Sequence, residues 1–299
     1  MSAKTYRLLT TLIILLGAIG IGGIGLSLIV KYLETQQIQQ IQQANNFLAQ
    51  KKYDSALAAY DRLLEQKPQS ERLLTNRGYA LLGLQQYQEA LESCTAATSA
   101  KPKADLAWNC RGEALYYLER HNDALTAFKK AIALNPSNPT FQLNQGRVLT
   151  ELSQHQEAID VLSQGISQLE SKNQNSPQNL AIAFDDLGHS LLVLGKNQRA
   201  LTAFESSLSY QPNSLSAQQG QGIVLYRLGR YQQAIEMFET ILQRSELTKE
   251  QQAINWLYKG ISLCQTPQAE TATEAFTQVL QLTNRTQLQN IARSGCGLS

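Results

Sequence analysis

Three kinds of residue in this sequence could do chemistry: two adjacent carboxylates, three histidines and four cysteines. Asp185 and Asp186 are the paired carboxylates, but neighbours on a helix point roughly 100° apart and cannot serve one substrate atom as an acid–base dyad. His121 and His155 are 34 residues apart, a spacing that suggests a ladder of metal ligands. Helices in contact lie about 8–10 Å apart and equivalent residues farther still, so two such imidazoles do not share one ion. His189 belongs to a different face. Cys94, Cys110, Cys264 and Cys296 contain no C-x-x-C pair, which argues against zinc. Cys94 reads as a small core residue, and a disulfide would require an oxidising compartment. The sequence has no G-x-x-x-x-G-K-[ST] phosphate loop, no G-x-S-x-G elbow and no H-E-x-x-H. No catalytic residue, metal or cofactor is therefore assigned, and the expectation is a protein that is not an enzyme. A net charge of +2 is too balanced for bulk binding to nucleic acid.

The elements that position these residues recur. A small residue appears at Ala44, Gly78, Gly112, Gly146, Gly188, Gly222 and Gly260, the first four spaced by 34 residues and the later intervals being 42, 34 and 38. Twelve residues after each stands an alanine: Ala56, Ala90, Ala124, Ala158, Ala200, Ala234 and Ala272. Four further on comes a bulkier or apolar residue: Tyr60, Cys94, Phe128, Leu162, Phe204, Phe238 and Phe276. Pro68, Pro102, Pro136 and Pro212 close four of the units, each removing a backbone donor and stopping a helix. Each unit reads as two antiparallel helices, with Gly112 expected to cross Ala124 closely. A single pair cannot bury its apolar stripe, so the pairs must stack.

This pattern resembles the tetratricopeptide repeat (TPR), W-x2-L-G-x2-Y…A-x3-F…P. The third unit matches most fully, through Trp108, Gly112, Leu115, Ala124, Phe128, Ala131 and Pro136. The resemblance implies an all-α fold, a TPR α-solenoid that winds as a right-handed superhelix of antiparallel helix pairs, and binding of a protein or peptide in a concave groove lined by first helices. Residues two or three before each glycine, and one turn after, then make the candidate groove: Asn45, Asn76, Asn109, Glu113, Tyr116, Tyr117, Asn144, Arg147, Asp185, Asp186, His189 and Tyr226. Amides donate and accept, which suits an extended backbone, and Asn76, Asn109 and Asn144 are expected at similar depth. Tyrosine adds apolar area with a polar tip. The carboxylate clamp of some TPR adaptors is not matched, because its lysine columns hold Ile41, Thr75 and Leu106.

Residues 8–30 (LLTTLIILLGAIGIGGIGLSLIV) carry no charge. At about 1.5 Å per residue they are long enough to cross the hydrocarbon core. The competing reading is a cleaved signal peptide, but the apolar run continues to Val30 without a small-x-small site, which favours an uncleaved helix. Lys4 and Arg7 before the span place its N-terminus in the cytoplasm and the repeats outside. Ala18, Gly22 and Gly25 share a face through which two copies could pair. The organisation expected is therefore a flank (1–7), a transmembrane helix (8–30), a linker (31–36), seven repeats over 37–284 (37–70, 71–104, 105–138, 139–172, 181–214, 215–248 and 253–284) and a cap with tail (285–299). Ser176-Pro177 reads as an N-cap with proline at the first helical position, and Thr248–Gln251 as a capping box. The whole resembles single-span TPR proteins of bacteria, including the cyanobacterial and plastid type that assists photosystem assembly. That implies a membrane-anchored assembly scaffold. The alternatives are a cell-envelope or secretion-complex subunit and a regulatory subunit of a separate enzyme.

Overall fold

Helix formation follows the periodic Ala and Leu content, and every regular element among the described residues is helical. The computed structural model describes residues 23–171 and 176–297. The chain divides between Ser137 and Asn138 into two units.

The first unit holds three helix pairs: α1 (Gly23–Ala49) with α2 (Tyr53–Leu64), α3 (Glu71–Gly83) with α4 (Tyr87–Ala100), and α5 (Asp105–Tyr117) with α6 (His121–Leu134). Helix α1 passes without a break through the Gln-rich segment after Val30. Its last turns pack Ile41, Phe47 and Leu48 around Ala56, Tyr60 and Leu63. Most of the sequence-predicted membrane span, residues 8–22, lies outside the described residues, as do Ala18 and Gly22 of the proposed pairing face. No described helix is long and apolar enough to cross a membrane.

The second unit holds α7 (Pro139–Glu151) with α8 (His155–Ser171), α9 (Pro177–Val193) with α10 (Asn197–Tyr210), α11 (Leu215–Arg227) with α12 (Tyr231–Leu242), and α13 (Lys249–Leu263) with α14 (Ala272–Leu282). A last helix, α15 (Thr286–Ser294), lays Leu288, Ile291 and Ala292 on the core of the final pair. The additional residues between the fourth and fifth glycines largely lengthen helices. Both α8 and α9 have 17 residues, against 14 in α6 and 13 in α7.

The repeating close contact inside each pair from the second onward is a ring, a leucine or a disulfide sulfur against a glycine. A Cβ placed on Gly112 would lie 2.6 Å from Phe128, and one on Gly222 would lie 2.7 Å from Phe238. The same holds for Gly188 with Phe204, Gly260 with Phe276, Gly146 with Leu162, and Gly78 with Cys94. The atoms nearest to Gly112 are thus those of Phe128, one turn beyond the Ala124 expected to cross it. The alanine is fully buried, but the bulky residue one turn later fills the space that the missing Cβ leaves. The cysteines are paired: Cys94 with Cys110, Cα atoms 5.8 Å apart, and Cys264 with Cys296, 5.2 Å apart.

In six of the seven pairs the turn between the helices shares one device. Lys51, Gln85, Glu119, Ser153, Gly195 and Gly229 each follow the first helix with a positive φ, between 57° and 73°. In each case the next residue's N–H reaches back to close the helix, as Gln86 N does to Leu81 O at 2.9 Å. At the other end, Lys101, Asn135 and Gln211 are held extended before Pro102, Pro136 and Pro212, which ends the second helix. The Trp108 indole then donates to Pro102 O at 2.9 Å, and Gln218 does the same to Pro212 O at 3.1 Å. Thr248 and Gln251 form a reciprocal capping box on α13, whereas the Ser176 side chain makes no cap bond although Pro177 does begin α9.

Candidate peptide-binding site

In the first unit the candidate residues lie on α1, α3 and α5, and several already hold one another. Asn45 Oδ1 accepts from the buried Tyr60 hydroxyl at 2.8 Å and from Asn76 Nδ2 at 3.0 Å. Burial raises the Tyr60 phenol, and the Asn76 hydrogen bond opposes that rise. Asn109 is only 3% exposed. Its amide donates to the Tyr79 hydroxyl oxygen at 3.0 Å and to the Glu113 carboxylate, while Tyr79 donates to Leu106 O at 3.2 Å. Burial drives the Tyr79 hydroxyl far up, and the Glu113 charge adds to it.

Asn109 stands three residues before its glycine and Asn76 two. That offset turns them about 100° apart on their helices. It explains why Asn109 is buried while Asn76 is half-buried, contrary to the expected common depth. Asn109 serves the fold rather than offering a free amide.

The open part of this unit is aromatic. Tyr117 is 45% exposed and stacks on Tyr87 with centroids 4.8 Å apart. Tyr116 meets Tyr117 edge-on at 5.4 Å and His121 at 5.6 Å. The rings sit at one end of the pairs because Tyr87 and His121 begin second helices while Tyr116 and Tyr117 end a first helix. Glu113 lies one turn before Tyr117, half-buried.

The second unit presents a charged patch on α7 and α9. Arg147 Nε is 3.6 Å from Asp186 Oδ2, and His189 Nε2 is 3.6 Å from Asp185 Oδ1. His189 also meets Ser216 Oγ at 3.0 Å, and its ring stands nearly perpendicular to that of Phe204, centroids 5.0 Å apart. The two aspartates diverge, one toward Arg147 and the other toward His189, as adjacent helical positions must. Burial pushes Asp186 up to about 7, with Arg147 opposing and Asp185 and Glu151 adding. Asp185 is raised as well, first by burial, with His189 and Ser216 opposing. Asn144 is half-buried on α7. Tyr226 is half-buried on α11, its ring 5.8 Å from Tyr231. His155 begins α8 with Nδ1 3.4 Å from Ser190 Oγ, so both of the 34-spaced histidines sit at helix starts, where they pack.

Two residues of these faces were missed from sequence: Tyr79 and Ser216. Tyr79 follows its glycine by one, the column that also holds Asn45, Glu113, Arg147 and His189, so the column was a usable signal. Nothing in the sequence singles out Ser216, which reaches His189 across a helix pair.

The candidate residues offer amides, carboxylates, one imidazole, one guanidinium and tyrosine rings on first helices. That is a set for hydrogen bonding and apolar contact to a chain. No curated protein matches this sequence. Among solved structures, a tetratricopeptide repeat protein from Parabacteroides merdae ATCC 43184 is similar at 18% identity and TM-score 0.54, over 87% of this chain and 98% of that one. PilW, a type IV pilus biogenesis factor, is similar at 21% identity and TM-score 0.61, over 75% and 98% of the two chains. YrrB, a TPR protein with an unusual peptide-binding site, is similar at 18% identity and TM-score 0.55, over 68% and 99%. At these identities the likeness concerns the fold. Models of the tetratricopeptide repeat match residues 41–105, 106–138 and 186–247. With more than half of its length matched in this way, the chain belongs to the tetratricopeptide-repeat family.

Proposed function

We propose that the protein is a non-enzymatic scaffold that holds a segment of a protein partner against its first helices, carried on an N-terminal membrane anchor. The observation that supports binding is the chemistry of those helices: exposed Tyr117 beside half-buried Glu113 in the first unit, and half-buried Asn144, Arg147, Asp185 and His189 in the second. Each unit supplies hydrogen-bonding groups of both senses, and the first adds a ring face for an apolar side chain. YrrB's peptide-binding site and PilW's role in pilus biogenesis belong to those proteins. They make the peptide-binding and cell-envelope versions of this reading worth testing together.

The test of binding replaces Tyr117 and two half-buried groups and spares Asn109, which is buried and holds both Tyr79 and Glu113. Tyr117→Ala, Asn144→Ala and His189→Ala in one chain are expected to weaken partner capture on the order of tenfold or more, since each lost hydrogen bond contributes about 0.5–1.5 kcal/mol. Affinity purification with the wild type in parallel identifies the proteins that are lost. Helicity should match the wild type. Equal capture by both chains would place binding away from the first helices.

The anchor rests on the uncharged residues 8–30 and on Lys4 and Arg7 before them. The full chain is expected to resist carbonate extraction from membranes, and the chain from Thr35 onward to be soluble and helical. Full-length protein recovered in the soluble fraction with a shortened N-terminus would identify residues 8–30 as a cleaved signal instead.

A further inference from the structure

We propose that the Cys264–Cys296 disulfide is a redox latch that holds the α15 cap onto the last helix pair. The two bridges of the chain sit in opposite environments. Cys94 and Cys110 are both fully buried, and their sulfurs lie against Gly78 beneath packed helices. Cys296 is exposed and Cys264, just past the end of α13, is partly exposed. Thiol–disulfide exchange needs a thiolate to reach a sulfur, so access alone separates the two bridges kinetically.

The cap depends on that bond. Helix α15 has nine residues, too few to persist as an isolated helix. Its start is pinned: Glu250 accepts from Thr283 Oγ1 at 2.9 Å and pairs with Arg285 Nε at 3.0 Å, and Gln289 donates to Thr283 O at 2.8 Å. Its middle packs Leu288, Ile291 and Ala292 beside Phe276, Val279, Trp256 and Ile261. Beyond Ala292 the strong tether is the covalent one, joined by a weak contact from Cys296 Sγ to Ala269 O at 3.9 Å. Opening the bond leaves the C-terminal half of the cap free to fray and uncovers an apolar edge at the end of the stacked pairs. Repeat arrays need such an end covered.

The reductant is a dithiol. One of its thiolates attacks the exposed Cys296 sulfur, the Cys264–Cys296 bond breaks, and Cys264 leaves as a thiolate that takes up a proton. The second dithiol sulfur then displaces Cys296, which leaves as a thiol. The dithiol is oxidised by two electrons to a disulfide and the protein gains two thiols.

The experiment treats the detergent-solubilised full chain with dithiothreitol under native conditions, followed by alkylation, peptide mass spectrometry and amide hydrogen exchange. Cys264 and Cys296 should become alkylated at least tenfold faster than Cys94 and Cys110. Exchange across 290–297 should accelerate at least tenfold while that of α9 to α12 stays unchanged. Cys296→Ser should show the fast exchange without reductant and no further response to it. The proposal fails if the four cysteines label together. It fails equally if residues 290–294 stay protected once Cys264 and Cys296 are reduced, or if Cys296→Ser exchanges like the oxidised wild type.

Discussion

Phe204→Ala is expected to destabilise the second unit by about 3–5 kcal/mol, the range for removing a fully buried aromatic side chain. Phe204 has no exposed surface. Its ring is wedged between two helices that both give up a Cβ to admit it: Gly188 in its own pair, where a Cβ would fall 2.7 Å away, and Gly220 in the next. His189 closes a further side with its ring nearly perpendicular to that of Phe204. The ring thus joins one pair to the next, and the cavity left by alanine would lie where helices, rather than flexible side chains, form the walls. Such walls collapse poorly, which keeps the cost high. Because neighbouring repeats share stability, the loss should appear as faster amide exchange in α9, α10 and α11 together and as a lower urea midpoint. An unchanged midpoint, or faster exchange confined to α10, would show that Phe204 does not link the pairs.

Much of this arrangement could be read from the chain before its structure. The glycine, alanine and aromatic columns give the helix pairs because each type has one geometric use: room, close packing and filling. The partner within the column set was harder. Sequence spacing says that Gly112, Ala124 and Phe128 recur together, but not which of the last two occupies the gap, since that depends on how far one helix slides along the other. The left-handed turn residues were hidden for a different reason. Only Gly195 and Gly229 advertise a positive φ, while Lys51, Gln85, Glu119 and Ser153 adopt it without the residue type that favours it. The Cys94–Cys110 pair follows a column relation that structure makes plain. Cys94 stands where Phe204 does and Cys110 where Gly220 does, so a covalent bond replaces a ring-on-glycine contact. The candidate faces were legible only as columns. A one-position offset in the column turns a side chain by about 100°, enough to bury Asn109 and leave Asn76 half-buried.

Gly112→Leu is expected to destabilise the first unit by about 1–3 kcal/mol through overpacking. Two effects compete. Leucine is the better helix former, and that favours the substitution by up to about 1 kcal/mol in the middle of α5. Against this, even the first added carbon would lie 2.6 Å from Phe128 Cε1 and 2.7 Å from Cδ1, inside any tolerable contact. The ring cannot swing away into solvent, because Phe128 is 1% exposed and walled by α5 and α6. Relief must come from moving one helix against the other, which also loosens their neighbours. Sterics therefore prevail, and Gly112→Ala should show the same sign with a smaller size because it adds one carbon instead of four. Thermal unfolding followed by circular dichroism measures both, and exchange of the α5 and α6 amides locates the damage. A leucine variant that melts at or above the wild-type temperature would mean that propensity outweighs the clash and that the α5–α6 interface is looser than the Phe128 contact implies.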